Sequence, residues 1–132
     1  MAGITLDTGA LIAIERGDHL VGAYLRLAQR RSRRLVVPAP VLAQVWRSSQ
    51  NARIGQFLAL VFVEPLSAAL ARQVGELLGR AGLSDVVDGT VVVGAARRGD
   101  EIVTGDIEDI SRLASFVRGL GPIRDLSQLP KP

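Results

Sequence analysis

The segment Ile4-Thr5-Leu6-Asp7-Thr8, running on through Gly9 to Ile14, decides how the rest of the chain is read. Ile4–Asp7 is a short buried strand by pattern. The period then changes, with Ala10, Leu11 and Ile14 on one face, which predicts a helix capped by Thr8. The same alternation recurs along the sequence. Helices are predicted over 18–31, 40–48, 53–60, 67–80, 85–98 and 109–116, and strands over 35–37, 61–63, 102–104 and 123–126. Pro40 falls in a first turn, where its missing N–H costs nothing, while Gly82 and Gly99 stop the helices before them. Strands alternating with helices imply a three-layer α/β fold. Its mainly parallel sheet has four to five strands, with helices on both faces. No linker-like tract or repeat interrupts the pattern, so residues 1–132 are read as a single domain.

Composition narrows the chemistry. The sequence contains no cysteine, which removes disulfides, zinc–thiolate sites, iron–sulfur clusters and a cysteine nucleophile. Neither a leader-like N-terminus nor an apolar run of membrane-spanning length is present, and a cytoplasmic protein with no membrane association is expected. The net charge is only +3, yet 15 of the 16 basic residues are arginine, Lys131 being the exception. Arginine's planar fork suits phosphate recognition.

Acidic residues fall where an open parallel sheet binds its ligands, beyond the carboxyl ends of strands. Asp7 follows the first strand, and Asp106 follows Ile102-Val103-Thr104-Gly105. Asp88 sits in the first turn of a very apolar helix, three residues after Asp85, and Asp109 lies three residues after Asp106. Each pair also reads as an N-cap with an acid at the third helical position, and Asp7 as the opening of a turn. Gathered in one place, such carboxylates repel one another and favour a hard divalent cation, Mg²⁺ or Mn²⁺.

Taken in order, four features resemble a PIN domain: Ile4-Thr5-Leu6-Asp7-Thr8; Pro38-Ala39-Pro40-Val41-Leu42-Ala43-Gln44-Val45-Trp46-Arg47; Asp88 opening an apolar helix; and Thr104-Gly105-Asp106 with Asp109. They are most similar to the ribonuclease toxins of bacterial VapBC toxin–antitoxin pairs. The resemblance covers essentially the whole chain. It implies a PIN-like fold and an Mg²⁺-dependent endoribonuclease in which Asp7, Asp88 and Asp106 hold the metal (Mg²⁺ or Mn²⁺). Asp109 is an additional catalytic acid, and Thr104 orients Asp106. Thr8, Gln44 and Asp85 support the site, and Arg47 reaches a substrate phosphate or an antitoxin carboxylate. The implied partners are a VapB-like antitoxin, an RNA substrate and a second copy in a homodimer, with apolar surface on the first four helices supplying the antitoxin groove.

One position departs from the family pattern. Many PIN nucleases carry glutamate where this chain has Gln44, which can ligate through its carbonyl but cannot act as a base. Gly89 and Gly94, inside a helix, point to close packing or to close approach of backbone to the site. The run Arg26, Arg30, Arg31, Arg33 and Arg34 is either a solvated face or an RNA-backbone contact. His19 is read as a surface or capping residue. Tyr24, Trp46, Phe57, Phe62 and Phe116 are spaced for core packing rather than base stacking. The alternative function is a catalytically weak PIN-like module that binds RNA or protein, favoured by Gln44. A receiver-like phosphoacceptor ranks lower, because the one lysine is at position 131.

Overall fold

The computed structural model describes residues 2–48 and 50–131. In chain order the elements are β1 (Ile4–Leu6), α1 (Thr8–Glu15), α2 (His19–Arg30), β2 (Leu35–Pro38), α3 (Ala39–Val45) and α4 (Ala52–Leu58). They continue with β3 (Phe62–Glu64), α5 (Ala68–Ala81), α6 (Val86–Arg98), β4 (Glu101–Thr104), α7 (Ile107–Ala114) and β5 (Ile123–Asp125). The five strands form one sheet in the order β3-β2-β1-β4-β5, and every pairing is parallel. The expected α/β class with a mainly parallel sheet is what forms.

The order follows from burial. β1, β2 and β4 are covered throughout, as a near-continuous apolar run requires, while β3 and β5 take the edges with partly exposed residues. Register then assigns the faces. Ile4 pairs with both Leu35 and Glu101, and Val103 pairs with Arg124, so these side chains project to one side of the sheet. Tyr24 from α2 hydrogen-bonds Glu101 on that side, whereas Arg98 from α6 donates to Thr5 Oγ1 (2.9 Å) on the other. Helices therefore cover both faces, and a core of Ile4, Leu6, Leu11, Leu35, Ile54, Val91 and Ile102 fills the space between.

Several local expectations are corrected. Thr8 is not the cap of α1. Asp7 is, its carboxylate accepting from Ala10 N–H, and Thr8 becomes the first helical residue. Likewise α7 begins at Ile107 rather than Asp109, because Asp106 supplies the cap. The third helix stops at Val45, three residues early, where Trp46 turns extended (ψ 127°) and packs against the core. The third strand runs one residue later than expected, over Phe62–Glu64. At the last strand Asp125 Oδ1 accepts from Ser127 and starts a 3₁₀ turn over Leu126–Gln128, so the strand excludes Leu126.

The two odd glycines of α6 have different uses. A Cβ on Gly89 would lie 2.8 Å from Val74 Cγ1 and 3.3 Å from Leu78, so the glycine lets α5 and α6 pack closely. At Gly94 a Cβ would lie 2.5 Å from Glu64 Oε1, in the space taken by the Glu64–Arg98 ion pair. Arg98 also bonds buried Asp100 (2.9 Å), tying the end of α6 to β3, β1 and the start of β4. No described helix is long and apolar enough to cross a membrane.

Glycine substitutions read this packing directly. Gly89→Ala is expected to destabilise the fold by about 1–3 kcal/mol through overpacking. Gly75→Ala and Gly79→Ala, where nothing lies within 4 Å of an added Cβ, are expected to stabilise α5 by about 0.5–1 kcal/mol each. Urea denaturation of the three variants checks the contrast.

Candidate metal centre

Of the helices that start at the carboxyl edge of the sheet, three are capped by an aspartate. Asp7 accepts from Ala10 N–H (3.0 Å) at α1, Asp85 from Asp88 N–H (3.0 Å) at α6, and Asp106 from Asp109 N–H (3.4 Å) at α7. The capping reading thus holds for Asp85 and Asp106, Asp7 takes the cap expected of Thr8, and none of this competes with a shared site. Caps at the starts of α6 and α7 place Asp88 and Asp109 at the third position of their helices, facing the same space. Carboxylate oxygens of Asp88, Asp106 and Asp109 all lie within 4.8 Å of one another.

Asp7 stands beside this trio without belonging to it. Only 3% exposed, it spends its oxygens on the protein: Oδ1 accepts from Ala10 and Gly105 N–H, and Oδ2 from Gly105 N–H (3.1 Å) and the Thr104 hydroxyl. Thr104 Oγ1 in turn accepts from Asp106 N–H (2.8 Å). Thr104 therefore orients the Asp7 carboxylate and the Asp106 backbone, rather than the Asp106 side chain. Thr8 donates to Gln44 Oε1 (2.7 Å), which fastens the start of α1 to exposed Gln44 on α3. Arg47 lies past the end of α3, with Nη1 folded back on the carbonyls of Ala43 (3.2 Å) and Trp46 (2.9 Å).

Two glycines make the arrangement possible, and composition alone did not single them out. Gly9 and Gly105 meet so closely that a Cβ on Gly9 would be 2.8 Å from Gly105 Cα. That contact brings the Gly105 N–H onto Asp7. A glycine directly between a strand end and an acid, as in Thr104-Gly105-Asp106, is the sequence signal for such a backbone approach.

The electrostatics suit a bound cation. Burial pushes the Asp88 carboxyl up to about 7, and repulsion from Asp85, Asp106, Asp7 and Asp109 adds to it. Burial also raises Asp7, against the lowering effect of its hydrogen bonds from Thr104, Ala10 and Gly105. The helix N-termini supply partial positive charge but leave the trio mutually repulsive. All-oxygen donors without cysteine, together with this repulsion, fit a hard divalent cation of the Mg²⁺ or Mn²⁺ type. His19, exposed at the start of α2, is not part of the cluster.

No family model matches the sequence, and no curated protein matches it either. Solved structures do. A chain of VapBC2 from Rickettsia felis, bound to a DNA fragment from its promoter, superposes with TM-score 0.72 at 21% identity over 95% of this chain and 98% of that one. DNA-bound VapBC from Salmonella typhimurium gives 0.71 at 21% over 95% and 98%. VapBC-5 from Mycobacterium tuberculosis, of the VapBC family of toxin–antitoxin systems, gives 0.58 at 21% over 93% and 98%. The fold is PIN-domain-like. In particular, it is the α/β arrangement found in the VapBC and FitAB structures.

A carboxyl held near 7 in the fold and near 3.8 when unfolded stabilises the protein only while protonated. That contribution is full below about pH 4 and is lost as pH rises through about 7. In EDTA the melting temperature is expected to fall from pH 5 to pH 8, and Asp88→Asn to flatten most of that fall. If the cluster takes a divalent cation, millimolar Mg²⁺ should restore stability at pH 8 in the wild type but not in the variant, since a ligand of the folded form alone stabilises it. Thermal melts across pH, with and without Mg²⁺, check both signs.

Proposed function

We propose that the chain, read as a single PIN-like domain, is an Mg²⁺-dependent endoribonuclease, the toxin of a toxin–antitoxin pair. The observation that carries this reading is the convergence of Asp88, Asp106 and Asp109 within 4.8 Å at the carboxyl edge of a PIN-like sheet. Asp7, Asp88 and Asp106 would hold the metal. Asp109 completes the acidic set, and Asp7 anchors it. A divalent cation bound there would supply the acidity that activates water for attack on a phosphodiester and would screen the charge that develops on phosphorus. Asp7 keeps Thr104 and Gly105 in place, and through Thr104 the backbone of Asp106, so that the ligands are positioned before substrate arrives. Asp85 holds the first turn of α6 and adds negative charge beside Asp88. Thr8 and Gln44 support the entrance, Gln44 contributing no charge. Arg47 meets a substrate phosphate after releasing the α3 carbonyls.

The partner reading rests on a groove of about 320 Å³ between α1, α2 and α4, lined by Ile14, Leu25, Phe57 and exposed Leu60 together with Arg26 and Arg53. An amphipathic helix of a VapB-like antitoxin with acidic flanks fits such a surface. Structures of the same fold are VapBC and FitAB proteins on DNA, which supports an antitoxin partner for this chain. A homodimer and a cytoplasmic location belong to the same proposal. A second reading, a catalytically weak module that binds RNA or protein, is favoured by Gln44, whose carbonyl is already bonded by Thr8.

Antitoxin-free protein is expected to cut structured RNA with Mg²⁺ or Mn²⁺ and not with EDTA. Asp88→Ala should lower cleavage by at least about 10–100-fold, as expected for loss of a ligand's metal affinity, while circular dichroism stays unchanged. Folded wild-type protein that binds metal and leaves RNA intact would transfer the assignment to the binding module.

A further inference from the structure

A second cavity of about 320 Å³ lies away from the acids, between α2, β5 and the segment after the 3₁₀ turn. Arg31, Arg33, Arg124 and Lys131 line it beside Tyr24, and no acidic side chain lines it among the described residues. Four cationic groups from three separate parts of the chain, including its only lysine, thus share one concavity.

The single carboxylate beneath them is already committed. Glu101, 2% exposed, accepts from the Tyr24 hydroxyl and pairs with Arg33 (3.4 Å) and Arg124 (3.2 Å). One buried negative charge therefore faces two arginines, and Arg31 and Lys131 have no part in these pairs. The Arg124 Nε–H is buried and makes no aligned hydrogen bond among the described residues. The turn that delivers the arginines is itself unusual. Ser32 is the one described residue other than glycine with positive φ (60°), a left-handed conformation disfavoured for a side chain, and it sits between Arg31 and Arg33.

Position distinguishes this cavity from the candidate metal centre. Glu101 begins β4 and Asp106 lies just past its end, so the two regions stand at opposite ends of the sheet, at least ~10 Å apart given about 3.3 Å per strand residue. Exposed Arg30, one residue before Arg31, adds positive charge at the end of α2. A single phosphate would not need so many cations. A polyanion, with successive phosphates along its strand, would engage several of them at once.

We propose that this cavity binds the phosphate backbone of RNA, as an anchor remote from the acids for substrates long enough to reach both. The choice of RNA rests on the nuclease reading, whereas the anion site rests on the arginines and lysine alone. Arg31 and Lys131 make the phosphate contacts, and Arg33 and Arg124 are held by Glu101 as the cavity's fixed wall.

The test is binding, measured in EDTA so that no cleavage occurs. Fluorescence anisotropy follows a labelled RNA hairpin of about 30 nucleotides over a range of salt, with wild type, Arg31→Gln/Lys131→Gln, and the charge-matched control Arg72→Gln/Arg80→Gln on α5. All four substituted side chains are exposed, so folding is retained, and circular dichroism verifies it. The cavity variant is expected to bind roughly tenfold more weakly and to lose about 1.4–1.8 from the slope of log Kd against log salt, with the control close to wild type. Equal losses in both double variants would reduce the effect to net charge and overturn the proposal. So would unchanged binding by the cavity variant, absence of RNA binding by the wild type, or displacement of the hairpin by an acidic peptide from the wild type and control alone. Cleavage of the same hairpin by wild type in Mg²⁺ reports separately on the nuclease reading. A protein that cuts RNA but binds it equally well without Arg31 and Lys131 loses only the anchor.

Discussion

The structure depends most on one buried carboxylate. Asp7 leaves the central strand β1 at the point where α1 must start and β4 must be matched, and it serves both. Its oxygens take N–H groups from Ala10 and Gly105 and the hydroxyl of Thr104. A buried ion in an apolar setting is costly unless its lone pairs are filled, and here four donor contacts fill them. The Gly9–Gly105 contact is the steric condition for that tie, since a Cβ on Gly9 would press on the Gly105 backbone. Once β1 and β4 are locked at this end, the starts of α1 and α7 are fixed relative to each other.

The same construction assembles the acidic cluster. Helix capping and metal binding are usually weighed as rival explanations for an aspartate. In this fold the first builds the cluster that the second would need: caps at Asp85 and Asp106 set the first turns of α6 and α7, and the third position of each turn then points into common space. The carboxyl of Asp88 near 7 measures how poorly that space tolerates its own charge. Stability is given up locally for a constellation that a cation would relieve.

Charge is sorted along the strands. Acids collect beyond the carboxyl ends, while Arg31, Arg33, Arg124 and Lys131 surround Glu101 toward the other end. Parallel topology makes this separation natural, because every strand enters at one edge and leaves at the other. A modest net charge of +3 therefore conceals two strongly charged poles.

Much was legible in the sequence alone. The alternation of short β-branched runs with amphipathic stretches determined an α/β fold with a parallel sheet, because periods of two and 3.6 leave different apolar patterns. Asp7, Asp88, Asp106 and Asp109 stood out as acids at strand exits and helix starts. Tertiary structure alone decided that Asp7 accepts from Thr104 and Gly105 while Asp88, Asp106 and Asp109 close on one another. It also decided that Thr104 serves Asp7, that Arg47 folds onto its own helix end, and that Lys131 joins three arginines around one cavity. Local sequence carries the period and the caps. Which carboxylate meets which donor depends on the approach of segments nearly a hundred residues apart, and only the packed sheet fixes that distance.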